Sequence, residues 1–372
     1  MNRFAREGDK LSPFFLFFLF YVGIAGIGAL SFQTSLAAHA GYDAWISVIA
    51  TGATVHVLVW MTYRTLSSEP GERDVADLHR AWFGRLAGAF LNAAVVLYFL
   101  YAAYAEWKTY LEVIEVWLFP GMNRFPVVVM VTILIYYAVS GGIRTVAGLS
   151  FWGMILAYFL VIPQIFLALQ YAHPRNLLPL FDHSAADVLA AAKSMAVHYS
   201  GFEVLLFVYP FLKNPADSQR WAHGAVLFGT VLYLILLLTT FMYFSVGQLE
   251  HTVWPTLNMT TIIEFPFFQR LEYLAISLWL IKNIAGVSLS LWAAGRAASS
   301  VWPIGERRWL LGFLLVMLAF DSWVAGRDRI DRMLALYVEI AFYFLYAYIP
   351  LLFVCTLVRS RWLRRSRRAN AE

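Results

Sequence analysis

Two apolar stretches long enough to cross a membrane are interrupted halfway by glycine. The first reads Phe20-Tyr21-Val22-Gly23-Ile24-Ala25-Gly26-Ile27-Gly28-Ala29, and the second Val197-His198-Tyr199-Ser200-Gly201-Phe202-Glu203. Glycine inside a helix costs about 1 kcal/mol. In lipid, a backbone group freed by a break costs several kcal/mol unless something else bonds it. The two breaks fall in the first and sixth hydrophobic segments, the corresponding position in each half of a five-plus-five arrangement. Broken spans in matching places point to exposed backbone that holds something small.

Composition places these stretches in a bilayer. Hydrophobic residues make up 61% of the 372, against roughly 45–50% in a soluble domain, and mean hydropathy is +0.65. Apolar runs near or above the ~20 residues needed to cross hydrocarbon recur throughout. The expected fold class is an all-α integral membrane protein with about ten transmembrane helices. The segments are roughly 12–38, 43–65, 84–116, 124–140, 147–171, 187–211, 222–248, 270–296, 309–326 and 333–358. Residues 1–358 then form one polytopic domain, with a first repeat over about 12–171 and a second over about 187–358; 359–372 form a basic cytoplasmic tail. The run from Leu11 to Ala38 is too long for a signal-peptide core and contains the glycine break. One cysteine, Cys355, excludes an intrachain disulfide.

Charge sets the expected orientation. With the N-terminus inside, the inner loops and tails collect 19 of the 28 lysines and arginines, six of them in the tail. The outer loops collect six: Arg124, Arg175, Arg270, Arg327, Arg329 and Arg332. Three lysines lie within spans. The bias puts both termini in the cytoplasm. Residues 327–332 resist it, with three arginines outside, and Asp321, Asp328 and Asp331 stand near enough to neutralise them. Without the tail, basic and acidic residues balance at 22 each, so the basic pI suits an anionic leaflet and not nucleic acid.

Charged and polar residues within the spans are the candidate site. Around Gly23, Gly26 and Gly28, two readings stand: close helix packing through small residues, or unwound backbone binding a small zwitterion between half-helix ends of opposite partial charge. Glu203 sits about eight residues inside its span, where a carboxylate needs a partner, a proton or water. It serves either a structural role, or as contact for a ligand amine or a proton-sensitive switch. Lys282, 12 residues beyond Arg270, lies about 18 Å along its helix and has no acid beside it in sequence; Glu203 is its expected partner. Lys282 is either structurally paired or snorkelling, or it fills a cation position or meets a ligand carboxylate. Tyr98 and Tyr101 share one face of the third span, as packing or as pocket wall. Glu106, Lys108, Glu112 and Glu115 are expected at the outer interface, His56 as a hydrogen-bonded bundle histidine, and Glu339 beside a loop arginine. Soluble-enzyme signatures and metal-ligand spacings are lacking, so neither catalysis nor a cofactor is expected.

Several segments carry a family resemblance. Gly201-Phe202-Glu203-Val204-Leu205-Leu206 with Tyr209-Pro210-Phe211-Leu212-Lys213 resembles the sixth span of spore germinant receptor B subunits. Trp254-Pro255-Thr256-Leu257, Phe268-Gln269-Arg270-Leu271-Glu272, Gly142-Ile143-Arg144-Thr145 and the Gly41-Tyr42-Asp43-Ala44-Trp45 turn are similar too. The resemblance covers most of the chain. It implies the inverted-repeat, LeuT-like fold of the amino acid–polyamine–cation superfamily, in the spore inner membrane. The pocket it implies is lined by Gly23, Ile24, Ala25, Gly26 and Gly28, by Ser200, Gly201, Phe202 and Glu203, and by Tyr98, Tyr101, Lys282, Asn283 and Gly286. The implied ligand is a small nutrient, an amino acid. The implied partners are an A-type membrane subunit and a C-type lipoprotein. The alternative is an amino-acid or amine transporter of the same superfamily. Two departures touch the pocket: Ser31-Phe32-Gln33 stands where the family has a proline after the first break, and the eighth span is usually uncharged where Lys282 stands.

Overall fold

The computed structural model describes residues 7–369, except 70, 72, 262–269 and 303. Arg3, Arg6, Pro70, Pro303 and the Phe268-Gln269 part of the family motif lie outside them. Backbone polar groups in lipid must be bonded within the segment, and the chain answers with helices. They are α1 (Phe15–Ile24), α2 (Phe32–Ala40), α3 (Trp45–Leu66), α4 (Val75–Val113), α5 (Phe125–Ser140), α6 (Ile143–Ala168) and α7 (Ala185–Ala196). Then follow α8 (Leu205–Val208), α9 (Pro215–Tyr243), α10 (Val246–Glu250), α11 (Pro255–Thr260), α12 (Leu271–Val301), α13 (Glu306–Asp321), α14 (Arg327–Tyr343) and α15 (Ile349–Ala369). Among the described residues, six helical stretches are long and apolar enough to cross a membrane, and three shorter apolar helices accompany them. The protein is an integral membrane protein.

Local chemistry sets the helix ends. Ser184 and Asp187 form a reciprocal capping box at the start of α7. Asp74 caps α4 by accepting from the Asp77 N–H at 3.1 Å. Within α4 the backbone turns at Gly84, whose φ of +79° suits glycine. Helix α12 is the central post, packed against α4 on one side and α6 on the other. Helix α1 packs on α9 and α6, and α2 lies along α7.

Backbone leaves helical geometry at both expected breaks. After Ile24, Ala25 (φ −90°, ψ 44°) and Gly26 (φ −59°, ψ −166°) end α1 before a short 3-10 turn and α2. After Tyr199, Ser200 is extended and Gly201 takes φ +117° before the turn leading into α8.

Asp43 ties the end of α2 to the chain leading into α7. It is 1% exposed. Its carboxylate accepts the N–H groups of Phe181 (2.7 Å), Asp182 (2.7 Å) and His183 (3.1 Å), which lead into α7. Further along, Ser47 donates to the Val188 carbonyl and Thr51 to that of Ala192. The turn after α2 and the start of α7 are thus one unit. Asp43→Ala is expected to lower stability by about 2 kcal/mol or more, because three backbone donors lose their acceptor; thermal unfolding in detergent measures it.

Candidate ligand-binding site

The two breaks cross at glycine. A Cβ on Gly23 would lie 2.5 Å from the Gly201 Cα, and one on Gly201 would lie 2.8 Å from the Gly23 carbonyl carbon. No side chain fits between the strands of backbone here. Close packing therefore accounts for this glycine pair. Gly26 and Gly28 line a cavity beside this crossing and are not part of it.

The freed carbonyls at the crossing share one strap. The Tyr233 hydroxyl, on α9, lies 2.6 Å from the Ile24 carbonyl and 3.1 Å from that of His198. One proton is shared between one carbonyl from each break. Tyr233 was not among the expected site residues, and in sequence it is one more apolar position on a buried helix.

The cavity beside the crossing holds about 580 Å³, within the range of small-molecule sites. Gly23, Ile24, Gly26, Gly28, Ser200, Gly201 and Glu203 line it, together with His198, Tyr233 and Tyr337. Its mouth lies between Glu250–Val253 and the start of α14 at Arg327 and Asp331. Phe20 and Phe202, both fully buried, stand with ring centroids 6.3 Å apart. Farther on, the chain before α1 is latched: Leu11 N–H donates to the Phe211 carbonyl (2.7 Å) and Lys213 N–H to that of Leu11 (2.9 Å).

The other expected site residues stand outside the cavity wall. Ala25 and Phe202 are buried behind the breaks. Tyr98 donates to Glu203 Oε1 at 2.7 Å and stacks on Phe344 with centroids 3.7 Å apart. Tyr101 donates to the Met333 carbonyl, joining α4 to α14. Asn283 Nδ2 reaches the Glu106 carbonyl at 3.4 Å. Gly286 lies directly against the Glu106 carboxylate, where a Cβ would sit 2.5 Å from Oε1.

Glu203 does not pair with Lys282. Its Oε1 is held by Tyr98 and its Oε2 by the Gly201 N–H at 2.6 Å. A buried carboxylate satisfied in this way braces the break. The available acid is Glu106, which the sequence placed at the outer interface. It lines the cavity beside Ala102, Ala105 and Thr109. Its Oε1 is buried and, among the described residues, has no hydrogen-bond partner. A Cβ on Gly26 would lie 3.7 Å from that oxygen. The available signal was the short side chains at 102, 105 and 109, one helix face left open around an acid.

The structure gives partners for three more of the charged residues. Lys108 is 1% exposed and donates to Asp321 Oδ1 at 2.6 Å, with Arg124 on the other oxygen at 3.1 Å. Lys108 is thus held in a buried ion pair. Glu339 meets Lys193 at 2.7 Å instead of a loop arginine. In the 327–332 cluster, Arg327 is neutralised by Asp331 (2.7 Å) and Glu112 (3.0 Å). His56 is hydrogen-bonded as expected, to His223 with Nδ1 atoms 2.8 Å apart.

Fold and cavity together define a membrane protein of transporter architecture. The structure superposes on a Na+-coupled sialic acid symporter with a TM-score of 0.69, 11% identity, and coverage of 93% of this chain and 81% of that one. It superposes on the Eremococcus coleocola manganese transporter with a TM-score of 0.63, 15% identity, and coverage of 93% and 78%. At such identities the likeness is one of fold alone. The sequence is more specific. A family model of spore germination proteins matches residues 10–330, and the chain belongs to that family. It is 33% identical to spore germination protein GerQB of Bacillus cereus over 96% of this chain and 98% of that one. It is 20% identical to spore germination protein B2 of Bacillus subtilis over 79% and 80%.

Two outcomes follow from this geometry. Gly201→Ala is expected to cost about 3 kcal/mol or more, since a Cβ there meets backbone and the φ is left-handed. Gly26→Ala, facing the cavity, is expected to cost about 1 kcal/mol; equal losses in thermal unfolding would contradict the crossing. In double-mutant cycles on stability, Glu106→Gln with Lys282→Met is expected to show coupling of about 1 kcal/mol or more, and Glu203→Gln with Lys282→Met none.

Proposed function

We propose that this protein is the germinant-sensing B-type subunit of a spore nutrient receptor, and that its ligand is a small amine-bearing nutrient, an amino acid. The observation that carries the reading is the unpartnered Glu106 oxygen, buried between α12 and the first broken element and facing an open cavity. An unpaired buried carboxylate is costly, and a ligand ammonium relieves that cost. The carboxylate of the same ligand has a place at the start of α2. There Phe32, Thr34 and Ser35 line the cavity, and the Ser31 side chain makes no capping bond. The first N–H groups of a helix lack internal partners and carry partial positive charge.

In this proposal the chain crosses the membrane ten times as one domain over residues 1–358, in two repeats, with both termini and the basic tail cytoplasmic. The cavity then opens to the exterior, where a nutrient arrives. Ligand binding favours one packing of the broken helices, and an A-type membrane subunit and a C-type lipoprotein respond to it. The second reading is an amino-acid or amine transporter. It has one supporting observation, that both solved structures cited above are transporters.

The test is thermal stabilisation of the protein in nanodiscs by the L-amino acids, each against its des-amino acid, with sugars and nucleosides alongside. At least one amino acid is expected to stabilise while its des-amino counterpart does not, and Glu106→Gln is expected to weaken that binding tenfold or more. Equal stabilisation by the des-amino acid, or full binding by the Glu106→Gln protein, would overturn the site. Uptake of the stabilising amino acid by proteoliposomes of this chain alone would favour the transporter.

A further inference from the structure

Lys282 is fully buried, and among the described residues its ammonium has no hydrogen-bond partner. It is wedged between helices: its backbone lies against Gly153 of α6, and its Nζ sits 4.6 Å over the Trp279 ring and 5.9 Å from that of Tyr21 on α1. The titratable groups around it are few. Tyr21 faces it from α1, with Tyr158 of α6 behind at 5.6 Å between ring centroids. Among the described residues its one anionic neighbour is Glu106 of α4, near enough to interact through charge but not in direct contact. Tyr233 of α9 and Tyr337 of α14 line the same cavity as Glu106. Lys282 and Gly286 are one turn apart on α12, and the Glu106 carboxylate rests on Gly286.

An ammonium buried with two aromatic faces and no acceptor keeps its charge only while an anion stands near. Here a single carboxylate fills that place. That carboxylate is also the group offered to the cavity. Two cations cannot both be compensated by one anion in a low-dielectric site.

We propose that Lys282 is an internal counter-cation for Glu106 and that an amine ligand displaces it electrostatically, so that binding drives one proton from the Lys282 ammonium into the cavity water. The balance is simple. The Nζ–H bond breaks, its electron pair stays on nitrogen as a neutral amine, and the proton passes to water beside Glu106, which lines the cavity, and leaves as hydronium. The Glu106 negative charge then compensates the ligand ammonium alone. Binding becomes proton-linked, tightening as pH rises over the range in which Lys282 is charged in the unliganded protein. The inference rests on the amine-at-Glu106 reading and adds to it the release of the proton.

The experiment is calorimetric titration of the nanodisc-embedded protein with the L-amino acid that stabilises it most, in buffers of different ionisation enthalpy. Wild type is expected to release about one proton per bound molecule, with affinity rising up to tenfold per pH unit. Lys282→Met is expected to bind with no proton release and a flat pH profile. Lys282→Arg, whose charge cannot be shed, is expected to bind at least tenfold more weakly at every pH. Wild-type binding without proton release would overturn the inference, as would undiminished release in Lys282→Met or full affinity in Lys282→Arg. If Lys282→Met fails to fold, the wild-type proton count and the Lys282→Arg affinity still decide. Failure of every amine to bind the wild type would instead remove the Glu106 reading itself.

Discussion

The site depends on the contact of Gly23 with Gly201. Two helices that each lose their hydrogen-bond ladder in mid-span would be costly if they did so separately. Crossing where neither has a side chain lets each shield the other's freed backbone. Gly201 is held in a left-handed conformation that an ordinary residue resists. Tyr233 spans the crossing and supplies a donor to carbonyls of both elements, while Glu203 takes up the Gly201 N–H. The break is therefore satisfied by named groups, and it opens space for a ligand without stranding its backbone.

Two buried acids near this crossing have divided roles, and their partners decide which does what. Glu203 has a partner on each oxygen, so its charge is spent on holding the second break in shape. Glu106 rests against glycine on α12 and faces glycine at the first break, and neither position offers a side-chain donor. The difference between a brace and a binding group thus lies in whether neighbouring side chains reach the carboxylate. A similar contrast separates two lysines. Lys108 is directly paired with Asp321, whereas Lys282 relies on aromatic faces and a more distant acid.

Asp43 clamps one end of the first broken element to the start of the second. The buried carboxylate gathers three successive backbone N–H groups from the loop before α7. It sits in the turn that ends α2. This gives the Gly-x-Asp-Ala-Trp turn a physical role: a short acid at a chain reversal is the shortest link between the first broken element and the second.

Much of the molecule could be read from the chain alone. Membrane-length apolar runs, helical class and the two interruptions are local properties, fixed by hydropathy and by glycine at particular positions. Family membership also lay in ordered local motifs. What sequence spacing could not supply was partnership across helices. It assigned Lys282 to Glu203 because both lie deep in their spans, and it put Glu106 and Lys108 at the interface because both lie late in theirs. Depth along one helix says nothing of which neighbour stands opposite. That is decided by how α4, α12 and the two breaks pack, and only the tertiary structure sets which acid is satisfied, which is left open, and where the cavity lies between them.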